Sequence, residues 1–199
     1  MYKQAFGFLP VRIYNPLTLK PGKKSNGQNK RFLAVGRFSP KHKGFDLLIT
    51  AFAVFAQNNS DWSLDIVGDG PEKDKLHQLI TYNHLENRVK LHPFTNNIQD
   101  YYSSASIYVL SSRWEGFGLV LVEAMAHGLP IISSDLPSSK DILGDFGLFF
   151  RNGDIRELAK RLEDVTHIDW KRKSEEALKI ARRFDINEIA GQWKQLLEK

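Results

Sequence analysis

The sequence contains no cysteine, and this absence excludes disulfide bonds, thiolate metal sites and cysteine nucleophiles. It also lacks any apolar run of about 18 residues, so we expect no segment that crosses a membrane. Residues 1–16 show no apolar stretch followed by a small-residue cleavage site, so we expect no signal peptide. These absences are compatible with a reducing cytoplasm, and a cytoplasmic location is our expectation.

The charge of the sequence is biased toward the positive. Lysine and arginine number 28 against 23 acidic residues, a net charge of +5. Basic side chains concentrate in residues 20–31 and 171–173, which would suit an anionic ligand or lipid surface but equally an ordinary solvated surface. No aromatic and basic RNA-binding pattern and no helix-turn-helix spacing is present, so we expect no nucleic acid partner. Peripheral association with the inner face of a membrane stays open.

Short apolar runs alternate with segments of helical period along most of the chain. The first run, residues 32–35, precedes Gly36, and residues 44–57 then carry apolar side chains at helical spacing. Further strands are predicted at 63–67, 89–91, 107–110, 130–133 and 148–150. Helices are predicted at 98–104 and 117–127, and others open at Pro71, Asp154 and Asp185. The pattern predicts an α/β fold, a Rossmann-like doubly wound parallel sheet.

The domain boundaries follow from the same pattern. Residues 1–30 are predicted to be a lead-in that is partly flexible, with one possible strand at Val11–Tyr14 before Asn15 and Pro16 break it. Residues 31–184 form the predicted Rossmann-like domain, and residues 185–199 a C-terminal helix. Ligands of such sheets bind beyond the carboxyl ends of the strands, so the loops of interest are 36–44, 68–71, 92–97, 111–118 and 134–141.

The first of these loops places two cations at the end of a strand. Arg37 and Lys43 lie six residues apart, and Gly44 lets the backbone pass closely where the next helix begins. A guanidinium that binds bidentately and an ammonium that acts as a point charge together suit a diphosphate. The alternative is a pair of surface cations.

The loop after residue 110 combines two glycines and two glutamates. Gly116 and Gly118 remove side chains where a ligand could meet backbone amides, and the N-terminus of the following helix favours an anion. Glu115 lies in the turn and Glu123 lies inside a nearly apolar helix, where a carboxylate needs a partner. Glu123 could accept two hydrogen bonds from a ribose diol; the alternative is a buried ion pair.

Metal and histidine chemistry are not indicated. No Asp-x-Asp pair and no His-x3-His spacing occurs, so we expect no metal and no cofactor. His42, in the first loop, is interpreted as a surface residue. His92 follows a strand and is a candidate for contact with a base or a sugar.

Several of these motifs together resemble glycosyltransferase family 4. The spacing Glu115 to Glu123, which opens with Glu-Gly-Phe-Gly-Leu, resembles that family's E-x7-E motif. Residues 35–44, 67–71 and 123–130 are also similar to the family, and the likeness runs from about residue 9 to residue 184. The resemblance implies a retaining enzyme of the GT-B fold, of which this chain is similar to the C-terminal, nucleotide-sugar-binding domain. It implies that an N-terminal domain is missing, toward which residues 185–199 would pack.

The family resemblance also implies roles for individual residues. Arg37 and Lys43 would hold the donor diphosphate after Gly36, and Glu115 would bind hydroxyls of the transferred sugar, which makes these three side chains the catalytic group. Glu123 would bind the ribose. The backbone amides near the distal phosphate and the sugar would come from Gly116, Phe117, Gly118 and Leu119. The base would lie along His92, Pro93 and Phe94.

The sequence departs from the family's pattern at two places. Pro93 stands where the family often has glycine, and residues 136–141 replace a glycine-rich segment followed by glutamate. Both changes bear on base and sugar specificity. The resemblance favours UDP-activated hexose or N-acetylhexosamine as donor and a glycan or lipid-linked acceptor, with no turnover by this chain alone. The alternatives are a nucleotide-sugar epimerase of the GT-B fold and a stand-alone nucleotide-sugar-binding module.

Overall fold

Six parallel strands form one sheet in the computed structural model, which describes residues 11–39 and 42–198. The strands are β1 (Arg31–Val35), β2 (Ser63–Val67), β3 (Val89–His92), β4 (Ile107–Leu110), β5 (Ile131–Ser134) and β6 (Leu148–Phe150). Their order across the sheet is β3-β2-β1-β4-β5-β6, and every adjacent pair is parallel. The order reverses direction between β1 and β4, which is the switch point at which ligands bind in doubly wound sheets. The predicted fold class is confirmed.

Helices connect the strands and cover both faces of the sheet. They are α1 (Phe45–Phe55), α2 (Lys73–Tyr82), α3 (Ile98–Ser104), α4 (Leu119–Ala126), α5 (Pro137–Leu143), α6 (Ile155–Asp164), α7 (Trp170–Ala181) and α8 (Ile186–Leu197). One face packs on α1, α2 and α6 through side chains that include Phe32, Ile66 and Phe52. The other face packs on α3, α4, α5 and α7 through Tyr108, Leu121 and others. Because strands buried on both faces cannot alternate apolar with polar residues, they read as continuous apolar runs.

The helix termini agree with most of the local signals. The Asp154 side chain accepts a hydrogen bond from the Glu157 amide at 2.9 Å, as a capping box requires. Asp185 caps α8 through the Asn187 amide at 2.8 Å. The helix expected to open at Pro71 begins instead at Lys73, because residues 71–72 form a turn.

Three other expectations are wrong or incomplete. No strand forms at residues 11–14, which have no regular secondary structure. Residues 134–141, expected to form a loop, include the start of helix α5, for which Pro137 supplies a first-turn residue that needs no amide partner. Helix α7 is not predicted by the apolar pattern, because its buried side chains, Ser174, Ala177 and Ala181, are too small to give a strong apolar stripe.

The lead-in segment follows the surface of the domain. The Leu17 amide donates to the Phe184 carbonyl at 2.7 Å, and the Ser25 amide donates to the His127 carbonyl at 3.0 Å. The Ser25 hydroxyl donates to the Ala105 carbonyl. These contacts anchor residues 17–25 to the domain. Residues 1–10 of the predicted lead-in lie outside the described residues, and the partial flexibility expected of residues 1–30 stays a prediction.

Helix α8 leaves much of its apolar surface uncovered. Trp193 is 50% exposed and Leu197 is 79% exposed, whereas Ile189 is buried. Its packing against a further domain stays a prediction.

Candidate functional site

Three neighbouring cavities that share lining residues lie beyond the carboxyl ends of β1, β2 and β4. The first has a volume of about 710 Å³ and is bounded by Gly36, Arg37, Gly68, Phe94 and Glu123, among others. It lies at the switch point of the sheet, where β1 and β4 send their connections in opposite directions. A cavity of this size, with the carboxylates of Asp69 and Glu123 and the guanidinium of Arg37 at its wall, can hold a polar small molecule.

The second cavity adjoins the first. Its volume is about 300 Å³, and it shares Arg37 with the first cavity while adding His42, Lys43, Trp114 and Glu115. The two cations Arg37 and Lys43 therefore border one space together with the carboxylate of Glu115. Arg37 and Lys43 both border this cavity, and their predicted binding of a diphosphate stays a prediction.

The third cavity lies beyond the second. Its volume is about 580 Å³, and it shares Trp114 and Glu115 with the second cavity. Its other walls come from Arg12 in the lead-in segment, Gly116, and residues 136–138 and 141 at the start of α5. Shared side chains thus place the three cavities in a row.

Lys43 and Glu115 form an ion pair between the first loop and the turn after β4. The side chains are 20% and 11% exposed, respectively. The Ser112 hydroxyl donates to the same Glu115 oxygen, Oε1, at 2.8 Å. Partial burial and two donors fix the position of this carboxylate. They leave its second oxygen without a hydrogen bond from the described residues.

Gly44 sets the position of Lys43. Its φ is 60°, in the left-handed region, and a Cβ atom there would lie 2.1 Å from the carbonyl oxygen of Ser111. Only glycine combines that backbone conformation with so close an approach. The Ser111 hydroxyl also donates to the Lys43 carbonyl at 2.9 Å, so the end of β4 holds the loop directly.

Arg37 differs from Lys43 in having no ion pair with the residues that the structure describes. Its side chain is exposed and borders both the first and the second cavity. A guanidinium in this state is available to an anionic ligand without first breaking an ion pair.

The loop before α4 presents backbone donors. Gly118 has φ 87° at the N-cap, which turns the chain into the helix, and the Leu121 amide, within the first turn, bonds to the Gly118 carbonyl at 2.9 Å. Among the described residues, the amides of Phe117, Gly118 and Leu119 donate no hydrogen bond. The Phe117 side chain turns away and packs on Tyr14 and Phe184, with ring centroids 6.0 and 6.1 Å away. The amides can therefore receive an anion at the start of the helix.

Glu123 lies on α4 and borders the first cavity. The Tyr102 hydroxyl of α3 donates to its Oε2 at 2.8 Å. Burial raises the pKa of the Glu123 carboxyl, and the hydrogen bond from Tyr102 offsets part of this rise. An ionised Glu123 would keep acceptor positions for hydroxyl groups in the cavity, so the predicted acceptor role is geometrically possible.

The segment predicted to lie along a base is only partly directed at the cavity. Phe94 borders the first cavity and is 74% exposed. His92 instead contacts the buried Asp65, with Nε2 and Oδ1 2.9 Å apart, and packs against the Tyr101 ring. Neither His92 nor Pro93 is among the residues that border the first cavity. Thr95, which the sequence pattern does not single out, borders it.

Sequence reasoning misses several residues around the cavities. Trp114 separates the second from the third cavity, Tyr102 supports Glu123, and the Arg12–Asp141 ion pair closes the far wall of the third cavity. The large aromatic residue directly before Glu115 is a signal that could have indicated Trp114. No local signal points to Tyr102 or Arg12, since both depend on contacts between distant segments.

Metal-binding clusters and membrane-spanning helices are absent from the part of the chain that the structure describes. Residues 11–39 and 42–198 contain no group of three or more histidine, aspartate or glutamate side chains that could hold a metal ion. Over the same ranges, none of the helices has the length and apolar character needed to cross a membrane.

The comparisons with known proteins agree on one family. The family model described as "Glycosyl transferases group 1" matches residues 18–183. An uncharacterized glycosyltransferase of Haemophilus influenzae is 35% identical over 193 residues, covering 94% of this chain and 54% of that protein. The N-acetylgalactosamine-N,N'-diacetylbacillosaminyl-diphospho-undecaprenol 4-alpha-N-acetylgalactosaminyltransferase of Campylobacter jejuni is 33% identical over 168 residues, covering 82% of this chain and 45% of that enzyme.

A solved structure agrees with these matches. The Anabaena protein HepE, in complex with UDP-glucose, is 31% identical with a TM-score of 0.74, covering 86% of this chain and 49% of that one. This chain thus spans about half the length of the curated relatives that it matches. The expected resemblance to one Rossmann-like domain of a GT-B glycosyltransferase is confirmed. With the family model matched over 18–183, the chain belongs to the glycosyl transferases group 1 family.

Proposed function

We propose that this chain binds the nucleotide-sugar donor of a retaining glycosyltransferase, with UDP as the nucleotide. Transfer itself is proposed for the whole protein, and the share of this chain is to hold the donor and stabilise its leaving group. The structure of the Anabaena relative was solved in complex with UDP-glucose, and we propose the same class of donor for this chain.

The row of cavities is the observation that carries the proposal. Glu123 and Phe94 border the first cavity, Arg37 joins it to the second, and Lys43 and Glu115 follow there. A nucleoside diphosphate sugar has the same sequence of chemical groups: a ribose diol, two phosphates and a hexose. Glu123 accepts the diol hydrogen bonds, and the two cations meet the phosphates.

The reaction needs negative charge stabilised on the departing diphosphate. Arg37, Lys43 and the amides at the start of α4 are donors around the place where that charge develops. Lys43 is held before the substrate arrives by its ion pair with Glu115, and the amides are held by the turn at Gly118, so these donors need little reorganisation during bond cleavage. The exposed Arg37 side chain becomes ordered when it binds the diphosphate. The nucleotide diphosphate leaves as an anion and the sugar's anomeric carbon becomes electron-poor.

Glu115 orients the sugar in this mechanism. Its Oε1 is held by Lys43 and Ser112, which fixes the carboxylate and leaves Oε2 for sugar hydroxyls. We propose that the acceptor hydroxyl attacks on the face that the diphosphate leaves, and that the departing phosphate takes its proton. No covalent enzyme intermediate is involved. The acceptor is a glycan or a lipid-linked glycan, and no metal takes part.

Calorimetric titration of the purified chain with UDP, GDP and ADP tests the proposal. The titrations are made with and without EDTA and are repeated with Glu123→Ala. We expect saturable binding of UDP that EDTA does not change, and a loss of about tenfold or more in the variant, because a buried acceptor of two hydrogen bonds is removed.

Three outcomes would contradict parts of this proposal. Binding that EDTA abolishes would require a metal. Preference for GDP or ADP would replace UDP as the nucleotide. No binding of any diphosphate, by a chain shown to be folded by its thermal transition, would overturn the donor-binding role.

A further inference from the structure

Trp114 is an exposed aromatic residue in the wall between two cavities. Its side chain is 63% exposed, although it directly precedes the largely buried Glu115. The His42 and Trp114 rings meet in a T-shaped arrangement, with centroids 5.9 Å apart, and a Cβ atom added at Gly116 would lie 3.6 Å from the indole. An indole so placed offers apolar surface and an N–H group to a ligand, a combination suited to the C–H and O–H groups of a sugar ring.

The position of Trp114 in the row of cavities narrows what it can contact. Trp114 and Glu115 border both the second cavity, where the two cations lie, and the third. If a diphosphate occupies the second cavity, the group attached to it, or a group that reacts with it, enters the third. That group is a sugar ring under the proposed function, on which this inference rests.

The far wall of the third cavity supplies polar groups with no net charge. Arg12 and Asp141 form an ion pair there, and the Ser138 hydroxyl donates to the Glu115 carbonyl at 3.1 Å. Glu115 itself is paired with Lys43. Each carboxylate at this cavity therefore has its own cation, so the wall favours hydroxyl groups over a charged substituent.

We propose that Trp114, Arg12 and Asp141 form a subsite for an uncharged pyranose ring. The ring packs on the indole, and its hydroxyls bond to the exposed side of the Arg12–Asp141 pair. Such a ring could be the sugar of the donor or the terminal sugar of the acceptor. The chemistry of recognition is the same for both, and the experiment separates them.

Trp114→Ala is the test variant, and Trp193→Ala is its matched control. Trp193 is also exposed, at 50%, but lies on α8 and borders none of the three cavities. The affinities of both variants for UDP and for UDP-glucose are measured by calorimetry. The affinity for methyl α-glucoside and methyl N-acetyl-α-glucosaminide is then measured by saturation-transfer NMR on chains saturated with UDP.

The subsite predicts a selective loss. Trp114→Ala should lose about three- to tenfold in one of the two sugar arms beyond any change in its affinity for UDP, as removal of an aromatic platform implies. A loss confined to UDP-glucose identifies the ring as the donor sugar. A loss confined to the methyl glycosides identifies it as the acceptor sugar. Trp193→Ala should behave as wild type in both arms.

A charge arm tests Arg12 and Asp141. Whichever of the two measurements responds to Trp114→Ala, that with UDP-glucose or that with the methyl glycosides, is repeated with glucuronate in place of glucose. The wild type should bind the glucuronate ligand less well. Asp141→Asn leaves Arg12 without its anion, so the preference for glucose over glucuronate should shrink by about threefold or more. An unchanged preference would remove the ion pair from the subsite.

Different experimental results would contradict the subsite and the donor-binding role. If the wild type binds UDP but Trp114→Ala changes neither sugar arm, the subsite is wrong and donor binding stands. If the folded wild type binds no nucleotide diphosphate, both proposals are overturned.

Discussion

The Tyr102 hydroxyl donates a 2.8 Å hydrogen bond to Oε2 of Glu123, joining helix α3 to the carboxylate that borders the first cavity. Tyr102 is fully buried, and its ring stacks on His127, with centroids 5.0 Å apart and planes inclined by 22°. The donor therefore has little freedom to move away. Glu123 is held by a neighbour that lies 21 residues earlier in the chain.

Tyr102→Phe should weaken UDP binding by about three- to tenfold at neutral pH, the effect of one hydrogen bond to a charged group. The ring and its packing remain, so the loss reports the hydroxyl alone. Calorimetry with UDP measures it. Tyr108→Phe is the matched control, because Tyr108 is equally buried but does not hydrogen-bond to Glu123.

The same variant should change the pH dependence of binding. The hydrogen bond from Tyr102 lowers the pKa of Glu123 against the rise caused by burial, so its removal raises that pKa further. Since the ionised carboxylate is the form that accepts the diol, UDP affinity should begin to fall at a higher pH in Tyr102→Phe than in the wild type. Identical pH profiles would contradict the role of Glu123 in binding.

Arg37→Ala should weaken UDP about ten- to a hundredfold while leaving uridine unchanged, because only UDP carries the charge that the guanidinium meets. Arg37 is exposed, so the thermal transition of the variant should match the wild type. Arg156→Ala, an exposed arginine that borders none of the three cavities, serves as the control. Equal losses for UDP and uridine would mean that the nucleotide lies elsewhere.

Gly44→Ala should be far more destabilising than Gly153→Ala. Both glycines have positive φ, 60° and 85°, so each variant carries a backbone cost of about 1–2 kcal/mol. A Cβ atom added at Gly153 would have no other atom within 4 Å, whereas at Gly44 the added carbon would lie 2.1 Å from the Ser111 carbonyl oxygen. Urea unfolding compares the two. Similar midpoints would show that the loop moves readily away from β4.

His127→Gln should make stability less sensitive to acid. His127 is fully buried; its Nδ1 lies 2.8 Å from the Glu123 carbonyl and its Nε2 lies 3.3 Å from the Gly22 amide, which fits a neutral ring. Burial lowers its pKa below the ordinary 6.5. Below that value the unfolded chain binds a proton that the folded chain does not, so this contribution to stability is present above pH 6.5 and falls as the pH falls.

Thermal unfolding from about pH 7.5 to about pH 5.5 measures this effect. The wild type should lose stability over that range more steeply than His127→Gln. His77→Gln removes an exposed histidine on α2 and should keep the wild-type slope. A His127→Gln slope equal to that of the wild type would place its titration outside this range.

Several parts of the fold could be predicted because their signals are local. The apolar run at 32–35 and the others like it correspond to the strands, which must be apolar on both sides when helices cover both faces. Asp154 marks the start of α6 through its own side chain. Helix α7 is not predicted because its small buried residues give only a weak apolar pattern. Helix α5 is not predicted because its proline and two serines are typical of a loop.

The sequence by itself determined the family and the doubly wound sheet. It also determined the positions of Arg37, Lys43 and Glu115 in loops after strands and of Glu123 in the helix that follows, since these depend on spacing along one chain. Only the tertiary structure decided their partners. Lys43 meets Glu115 across 72 residues, and Arg12 meets Asp141 across 129. His92 turns to Asp65 although it stands close to the cavity-lining Phe94 in sequence. Contacts between separate elements depend on how the helices pack on the sheet, and no local pattern encodes that packing.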